Sequence, residues 1–267
     1  MPKVSVLMGV YNGAAILKTA ISSIQKQSFQ DWEFIICDDC STDTSYEILC
    51  ELAKQDSRIH ILRNAQNRKL AATLNRCLKV AKGEYIARMD DDDFSYPERF
   101  QKQVDFLETH PEYAFVSSLV DCFDGKQIVR NHFLRPEKPQ AKDFLSSTQF
   151  VHPATMFRRS ALLSVQAYRV CRWTERTEDY DLFMRLYAAG MRGYNIQQPL
   201  LRYTVNVSGM QKKRLYRYRI NEAVVRYQGF RAMGLLPKAW PWVLRPLLVG
   251  LIPQTWIWKL GYAKNKK

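Results

Sequence analysis

Residues 90 to 93 are four consecutive aspartates, inside the stretch "ARMDDDDFSYPERF" that runs from residue 87 to residue 100. Adjacent carboxylates repel one another and raise each other's pKa, so such a run calls for a positive partner. Hard divalent cations such as Mg²⁺ and Mn²⁺ take oxygen ligands and keep places for substrate phosphates beside one or two protein carboxylates. On an exposed loop after a strand, Asp90 and Asp92 are expected to point the same way and Asp91 and Asp93 elsewhere, which makes an Asp-x-Asp clamp. The plainer alternative is a solvated acidic turn at the start of the helix opened by Pro97, where carboxylates also favour the helix dipole.

The elements that position this loop follow from periodicity. "VSVLMGV" is a nearly continuous apolar run, as in a parallel strand covered on both faces. Ile16, Leu17, Ala20, Ile21 and Ile24 then recur at helical spacing. "EFIIC", a helix from about Thr44 to Lys54, "RIHIL", a helix from about Lys69 to Lys82 stopping at Gly83, and the strand "EYIARM" continue the alternation. Pro97, followed by Glu98, opens a helix that carries Phe100, Val104 and Leu107 inward. This β-α-β order predicts a mostly parallel, Rossmann-like sheet with ligands beyond the carboxyl ends of its strands. The loops at that edge carry "YNG", "DDCSTD" and "DDDD".

From about residue 113 the pattern becomes α+β: "YAFVSSLVDCF", a turn at Asp124 and Gly125, and "KQIV" predict a hairpin, "HPATMFRR" a further strand, and Asp181 to Ala189 a helix ended by Gly190. The expected organisation is one domain over 1–210, with halves 1–110 and 111–210, followed by a basic segment 211–267.

Charge supports that division. Residues 1–210 hold 27 Lys and Arg against 25 Asp and Glu, whereas 211–267 hold 13 against one, so +12 of the net +14 belongs to the tail. Six cysteines form no obvious disulfide framework and nothing at the start resembles a signal peptide, which points to a reduced, cytoplasmic setting. "CDDC" is a lone Cys-x-x-Cys whose aspartates disfavour thiolates, so buried or loop thiols are expected there.

Several ordered segments together resemble family 2 glycosyltransferases of the GT-A fold. "VSVLMGVYNG" is similar to that family's opening strand and Tyr-Asn turn, and "IICDDCSTD" to its Val-Asp-Asp-Gly-Ser-Thr-Asp signature. "AKGEYIARMDDDDFSYPERF" resembles its Asp-x-Asp stretch, and "TEDYDLFMRL" its Glu-Asp motif at the acceptor side. The resemblance covers residues 3 to about 205. It implies an inverting transfer from a nucleoside diphosphate sugar, with UDP favoured, to a hydroxyl of a lipid-linked or oligosaccharide acceptor. It implies that Val10, Tyr11 and Asp39 line the nucleotide pocket, that Asp90 and Asp91 face the nucleotide, and that Asp92 is the ligand of Mn²⁺ or Mg²⁺. Asp179 becomes the catalytic base, because transfer to a hydroxyl needs a carboxylate within hydrogen-bond reach. Glu178 beside it can hold the base in place, and both can also be simply an acidic first helical turn. His152 matches a polar position near the diphosphate or acceptor, although a lone His is more often structural.

The departures are specific. Cys40 and Lys69 stand where the family commonly has Gly; Cys40 is expected to alter the loop over the base, because Gly tolerates positive φ and Cys does not, and Lys69 can reach a phosphate or solvent. "RYTVNVSG" has Thr204 and Asn206 where the family has Arg and His. In the tail, the longest uncharged run, Pro246 to Trp258, has 13 residues and two prolines, short of the ~20 a spanning helix needs. Trp240, Trp242, Trp256 and Trp258 with flanking cations suit an in-plane segment on an anionic membrane surface, which would hold the enzyme at the inner face of the cell membrane near a lipid-linked acceptor. A helical pair packed on the domain is the alternative. Two other classes were weighed. A nucleotidyltransferase lacks support because no Gly-rich phosphate loop with a following Lys is present, and a nucleic-acid-binding protein would not need the acidic cluster.

Overall fold

Strands β1 (Val4–Val10) and β2 (Trp32–Asp38) are buried along almost their whole length, and alternate residues enter opposite cores. Leu7, Ile35 and Cys37 face one core, while Val6, Met8, Phe34 and Ile36 face the other. Both faces must therefore be covered by helices. The computed structural model describes residues 1–129, 134–205 and 215–251, and within them the expected α/β order is found.

After β1 come α1 (Leu17–Gln25), β2, α2 (Ser45–Gln55), β3 (Ile59–Arg63), α3 (Lys69–Val80) and β4 (Tyr85–Arg88). A short β5 (Phe94–Ser95) leads to α4 (Arg99–Thr109), the hairpin β6 (Phe115–Phe123) and β7 (Ile128–Val129), then β8 (Met156–Arg158) and α5 (Arg159–Ser164). The chain continues through α6 (Glu178–Ala188), β9 (Gly193–Thr204), α7 (Tyr216–Ala232) and α8 (Trp240–Leu251). One sheet runs β3-β2-β1-β4-β8-β6-β9-β5, with β7 paired to β6. It is parallel through β3-β2-β1-β4 and mixed beyond, because β8 pairs antiparallel with both β4 and β6 while β6 and β9 are parallel.

Helices α1, α2 and α4 cover one face through Leu17, Ile21, Leu49, Phe100 and Val104. On the other face α3, α6 and α7 pack through Leu74, Phe183, Tyr187, Val225 and Phe230 around the rings of Phe115, Phe150 and Phe157. Two boundaries differ from the periodicity reading. Helix α4 begins at Arg99, because Pro97 and Glu98 form the preceding turn, and α6 begins at Glu178, which draws the whole Glu-Asp pair into its first turn.

The expected tail is not an appendage over its described residues. Helices α7 and α8 form a pair on the domain, and Val225, Phe230, Ala239 and Val243 are core residues. Helix α7 approaches α6 where Gly229 meets Met184, and a Cβ at residue 229 would lie 2.3 Å from the Met184 Sδ. Arg226 is buried, paired with Glu222 at 2.9 Å and donating to the Leu145 carbonyl at 2.8 Å. Asn221 donates to the Arg172 carbonyl at 2.9 Å and so ties α7 to the loop that precedes α6. Asn206, Trp256 and Trp258 lie outside the described residues. Within the described residues, no helix is long and apolar enough to cross a membrane.

Candidate active site

The loops after β1 and β2 are stitched to each other. The Asn12 and Gly13 N–H groups donate to the hydroxyls of Ser41 (3.0 Å) and Ser45 (2.9 Å), and the Asn12 side-chain oxygen accepts the Thr42 N–H at 2.9 Å. Buried Asp38 accepts the Ser41 N–H and pairs with Arg63 at 3.2 Å, so it holds the turn. Asp39 does a different job. Its carboxylate accepts the N–H groups of Arg68 (2.8 Å) and Lys69 (2.9 Å) and the Asn64 amide (2.7 Å), which anchors the start of α3 against β2. Val10, Tyr11, Asp39 and Lys69 thereby line one cavity of about 690 Å³ at the carboxyl edge of the sheet. Tyr11 is exposed there, whereas Val10 and Asp39 are buried in its wall.

Cys40 and Lys69, the positions where Gly was expected, have φ of 62° and 67°. Both side chains therefore sit in the left-handed region that Gly tolerates without cost.

The acidic run turns instead of extending. Asp91 and Asp92 form a turn, after which the chain returns along β5, so strict alternation fails. Carboxylate oxygens of Asp90, Asp92 and Asp93 lie within 4.8 Å of one another. The expectation that Asp93 points away is corrected: it joins the cluster, because pairing of β5 with β9 places the Thr204 N–H 2.8 Å from its Oδ1. Asp91 leaves the cluster and faces Gly13, where a Cβ would come within 2.5 Å of its Oδ2. Burial, then the charges of Asp90 and Asp92, push Asp91 up to about 7, and the same causes raise Asp93. The second oxygen of Asp93 is buried without a hydrogen-bond partner among the described residues. Three convergent carboxylates with an orphaned buried oxygen fit a hard divalent cation.

A cavity of about 610 Å³ is lined both by Asp90, Asp91 and Asp92 and by Glu178 and Asp179 at the first turn of α6, with His152 in the wall. Both acids are partly buried by protein and reached from this cavity. Burial raises Asp179, and burial together with the Asp179 charge pushes Glu178 up to about 7. His152 is buried with its Nε2 2.7 Å from the Tyr168 hydroxyl, and burial, reinforced by Arg88, lowers its pKa well below the ordinary value, so the ring is neutral. Asp181, two residues past Asp179, is structural, bridging Arg169 (3.1 Å) and Arg185 (2.7 Å). Leu70, Arg176, Glu178 and Tyr218 line both cavities, so the two adjoin.

The structure thus gathers all the singled-out residues around two adjoining cavities. It adds Arg88, Arg99, Tyr168 and Arg176, and it gives Thr204, noted only as a departure from the family pattern, a contact with the acidic loop. Arg88 lay inside a run read as apolar, and Arg99 was counted only as part of a helix start. A positively charged residue at an inward position of a strand is the signal that marks Arg88 out.

Residues 5–165 match the glycosyl transferase family 2 model, and the chain belongs to that family. It is 41% identical over 248 residues to EpsE of Bacillus subtilis, which carries the name of a glycosyltransferase, covering 92% of this chain and 88% of that one. It is 27% identical to WfaP of Escherichia coli, named a UDP-Glc:α-D-GlcNAc-diphosphoundecaprenol β-1,3-glucosyltransferase, over 73% of this chain and 74% of that one. Among solved structures, a mannosyltransferase from Pyrobaculum calidifontis in complex with GDP-Man and Mn²⁺ superposes with a TM-score of 0.69 at 17% identity, over 98% of this chain and 80% of that one. This likeness carries the fold, and the chain is a glycosyltransferase by family.

The two left-handed positions generate a stability prediction. Left-handed backbone costs an ordinary residue about 1–2 kcal/mol, and Gly returns about 0.5–1 kcal/mol of that as chain entropy. Cys40→Gly and Lys69→Gly should each raise unfolding stability by about 0.5–1 kcal/mol in urea titrations. A fall in both midpoints would mean that the side chains contribute packing that outweighs the backbone strain.

Proposed function

We propose that the chain is an inverting hexosyltransferase that moves a sugar from a UDP-sugar to a hydroxyl of a lipid-linked oligosaccharide in the assembly of a surface polysaccharide such as lipopolysaccharide, O-antigen or capsule. The observation that carries this reading is that Asp179 and the acidic loop line a single cavity, close enough for the Asp90 charge to act on Asp179. A general base and a diphosphate site must lie on opposite sides of the anomeric carbon for an in-line displacement. WfaP, whose name states a UDP-Glc donor and a diphosphoundecaprenol-linked acceptor, supports the donor and acceptor classes.

In this reading the acceptor hydroxyl attacks the anomeric carbon while Asp179 accepts its proton. The bond from that carbon to the diphosphate oxygen breaks, and its electron pair leaves with the nucleoside diphosphate. No glycosyl-enzyme intermediate is needed. Asp90, Asp92 and Asp93 would hold a Mn²⁺ or Mg²⁺ ion, which when bound supplies positive charge to the leaving diphosphate. Val10, Tyr11, Asp39 and Lys69 form the neighbouring wall for the nucleotide. Asp39 acts there by holding the backbone of Arg68 and Lys69 in place. Neutral His152, fixed by Tyr168, can orient a hydroxyl without adding charge.

The base must be ionised to act. Burial raises the Asp179 pKa, so turnover is lost as pH falls through that raised value, and the acid limb of the rate profile should lie above the ordinary aspartate range. Asp179→Asn should lower kcat by about 10²–10⁴-fold while UDP-sugar binding persists. Near-normal turnover in that variant would remove Asp179 from the base role.

We further read the outward side of α7 and α8 as the membrane-facing side. Trp240, Trp242, Leu244, Leu248 and Leu251 are exposed along α8, with Lys238 just before it and Arg245 within it also exposed, and Ile220 is exposed on α7. Cations interleaved with exposed aromatic and aliphatic side chains suit an anionic interface. Because α7 contributes core residues, deleting it would unfold the domain, and surface substitutions are the cleaner test. The wild-type chain should float with vesicles containing anionic lipid, and a Leu244→Gln, Leu248→Gln, Leu251→Gln variant should not. Equal flotation of the two would defeat the membrane reading.

A further inference from the structure

Arg88 is the last residue of β4, immediately before the acidic loop, and its side chain is only 2% exposed. An arginine at such a position is costly unless its charge and donors are matched. The guanidinium pairs with Asp90 at 2.5 Å, yet its Nε and Nη1 are buried with no hydrogen-bond partner among the described residues. A residue selected for stability alone would be apolar here, since its strand neighbours Ile86 and Ala87 are core residues. Replacing a buried ion pair with apolar side chains is often neutral or stabilising.

Its surroundings give another reason for it. Arg88 lines the same cavity as Asp90, Asp91, Asp92, His152, Glu178 and Asp179. Its own backbone is clamped on both sides: its N–H donates to the Thr155 carbonyl at 2.9 Å, and its carbonyl accepts from the Arg99 guanidinium at 2.8 Å. Arg99, equally buried, is fixed by Gln103 at 3.1 Å, and Gln103 in turn donates to the Ala154 carbonyl at 2.7 Å. The guanidinium that touches Asp90 is therefore mounted on rigid strand and helix backbone, while Asp90 stands just before the Asp91–Asp92 turn with no strand pairing of its own.

We propose that Arg88 is a positioning residue for the donor side of the active site: it grips one oxygen of Asp90 from beneath the loop and so aims the other, with Asp92 and Asp93, at the divalent cation. This rests on the glycosyltransferase reading above and extends it to a residue that touches neither substrate. Held carboxylates bind a small hard cation without first paying the entropy of ordering the loop. A bystander cation close to the site would have the opposite effect, since its charge repels a divalent ion and its removal would tighten binding.

The sign of the effect is thus diagnostic. Mn²⁺ alone would be titrated calorimetrically into the full chain and into Arg88→Gln and Arg88→Lys, with kcat and donor KM measured alongside. Arg88→Gln should bind Mn²⁺ at least about tenfold more weakly, in line with the loss typical when an outer partner of a metal ligand is removed, and kcat should fall more than the donor KM rises. Arg88→Lys, which keeps a charge on Asp90 without the rigid fork, should recover part of the affinity. Unchanged or tighter Mn²⁺ binding in Arg88→Gln overturns the proposal while leaving the function intact. No Mn²⁺ binding by the wild-type chain overturns both the positioning role and the reading of the acidic loop as a Mn²⁺ site. If Arg88→Gln does not fold, the decision passes to Arg88→Lys, where wild-type Mn²⁺ affinity would count against positioning and weakened affinity for it.

Discussion

Four carboxylates in a single turn repel one another, and the remainder of the active edge is arranged around keeping them there. Two buried guanidiniums supply positive charge from the protein side: Arg88 pairs directly with Asp90, and Arg99 lies beneath the same loop with its charge felt at Asp93. Four carboxyl groups against two guanidiniums, with Asp91 and Asp93 pushed toward their neutral forms, make a site whose ionised state a divalent ion would favour. The Thr204 N–H adds a fixed dipole to Asp93, and the close approach at Gly13 lets Asp91 fold away from the cluster. The same charges lie within reach of Asp179 across the cavity, so the loop and the proposed base share one electrostatic environment, with Arg88 lowering and Asp90 raising the Asp179 carboxyl.

This arrangement depends on topology. The parallel half of the sheet delivers the loops after β1, β2 and β4 to one edge, and the mixed half returns β9 to that edge so that it can grip the acidic loop. An irregular register between β6 and β9, near Ser118 to Val120, is part of that return. Helix α6 then brings its first turn to the same cavity, and α7 holds α6 through Gly229 and the Arg226 guanidinium over the Tyr180 ring, and the loop before it through Asn221. The basic C-terminal helices thus serve the active site from behind before any outward role is considered.

Much of this was legible in the sequence. Apolar runs announced β1, β2 and β4, and the polar loops after them marked the active edge without any contact information. The alternating Asp-x-Asp expectation failed because it assumed extended backbone, whereas Asp91 and Asp92 turn. Arg88 was hidden because a single charged residue inside a strand has no periodic signature, and its significance comes from neighbours far along the chain such as His152 and Asp179. The packing of α7 was hidden for a related reason: its buried side includes Asn221, Arg226 and Gly229, so it presents no clean apolar stripe. Cys40 and Lys69 show the converse: standing where glycine is common, they keep the left-handed backbone that was expected to need glycine.

The central claim is that the acidic loop exists to hold a cation for a nucleoside diphosphate. It is tested most directly by calorimetric titration of UDP into the purified chain with and without Mn²⁺, beside Asp92→Ala. The account predicts binding that requires Mn²⁺ and is lost in the variant. UDP binding of equal strength in all three conditions would contradict it and reduce the four aspartates to a buried structural turn.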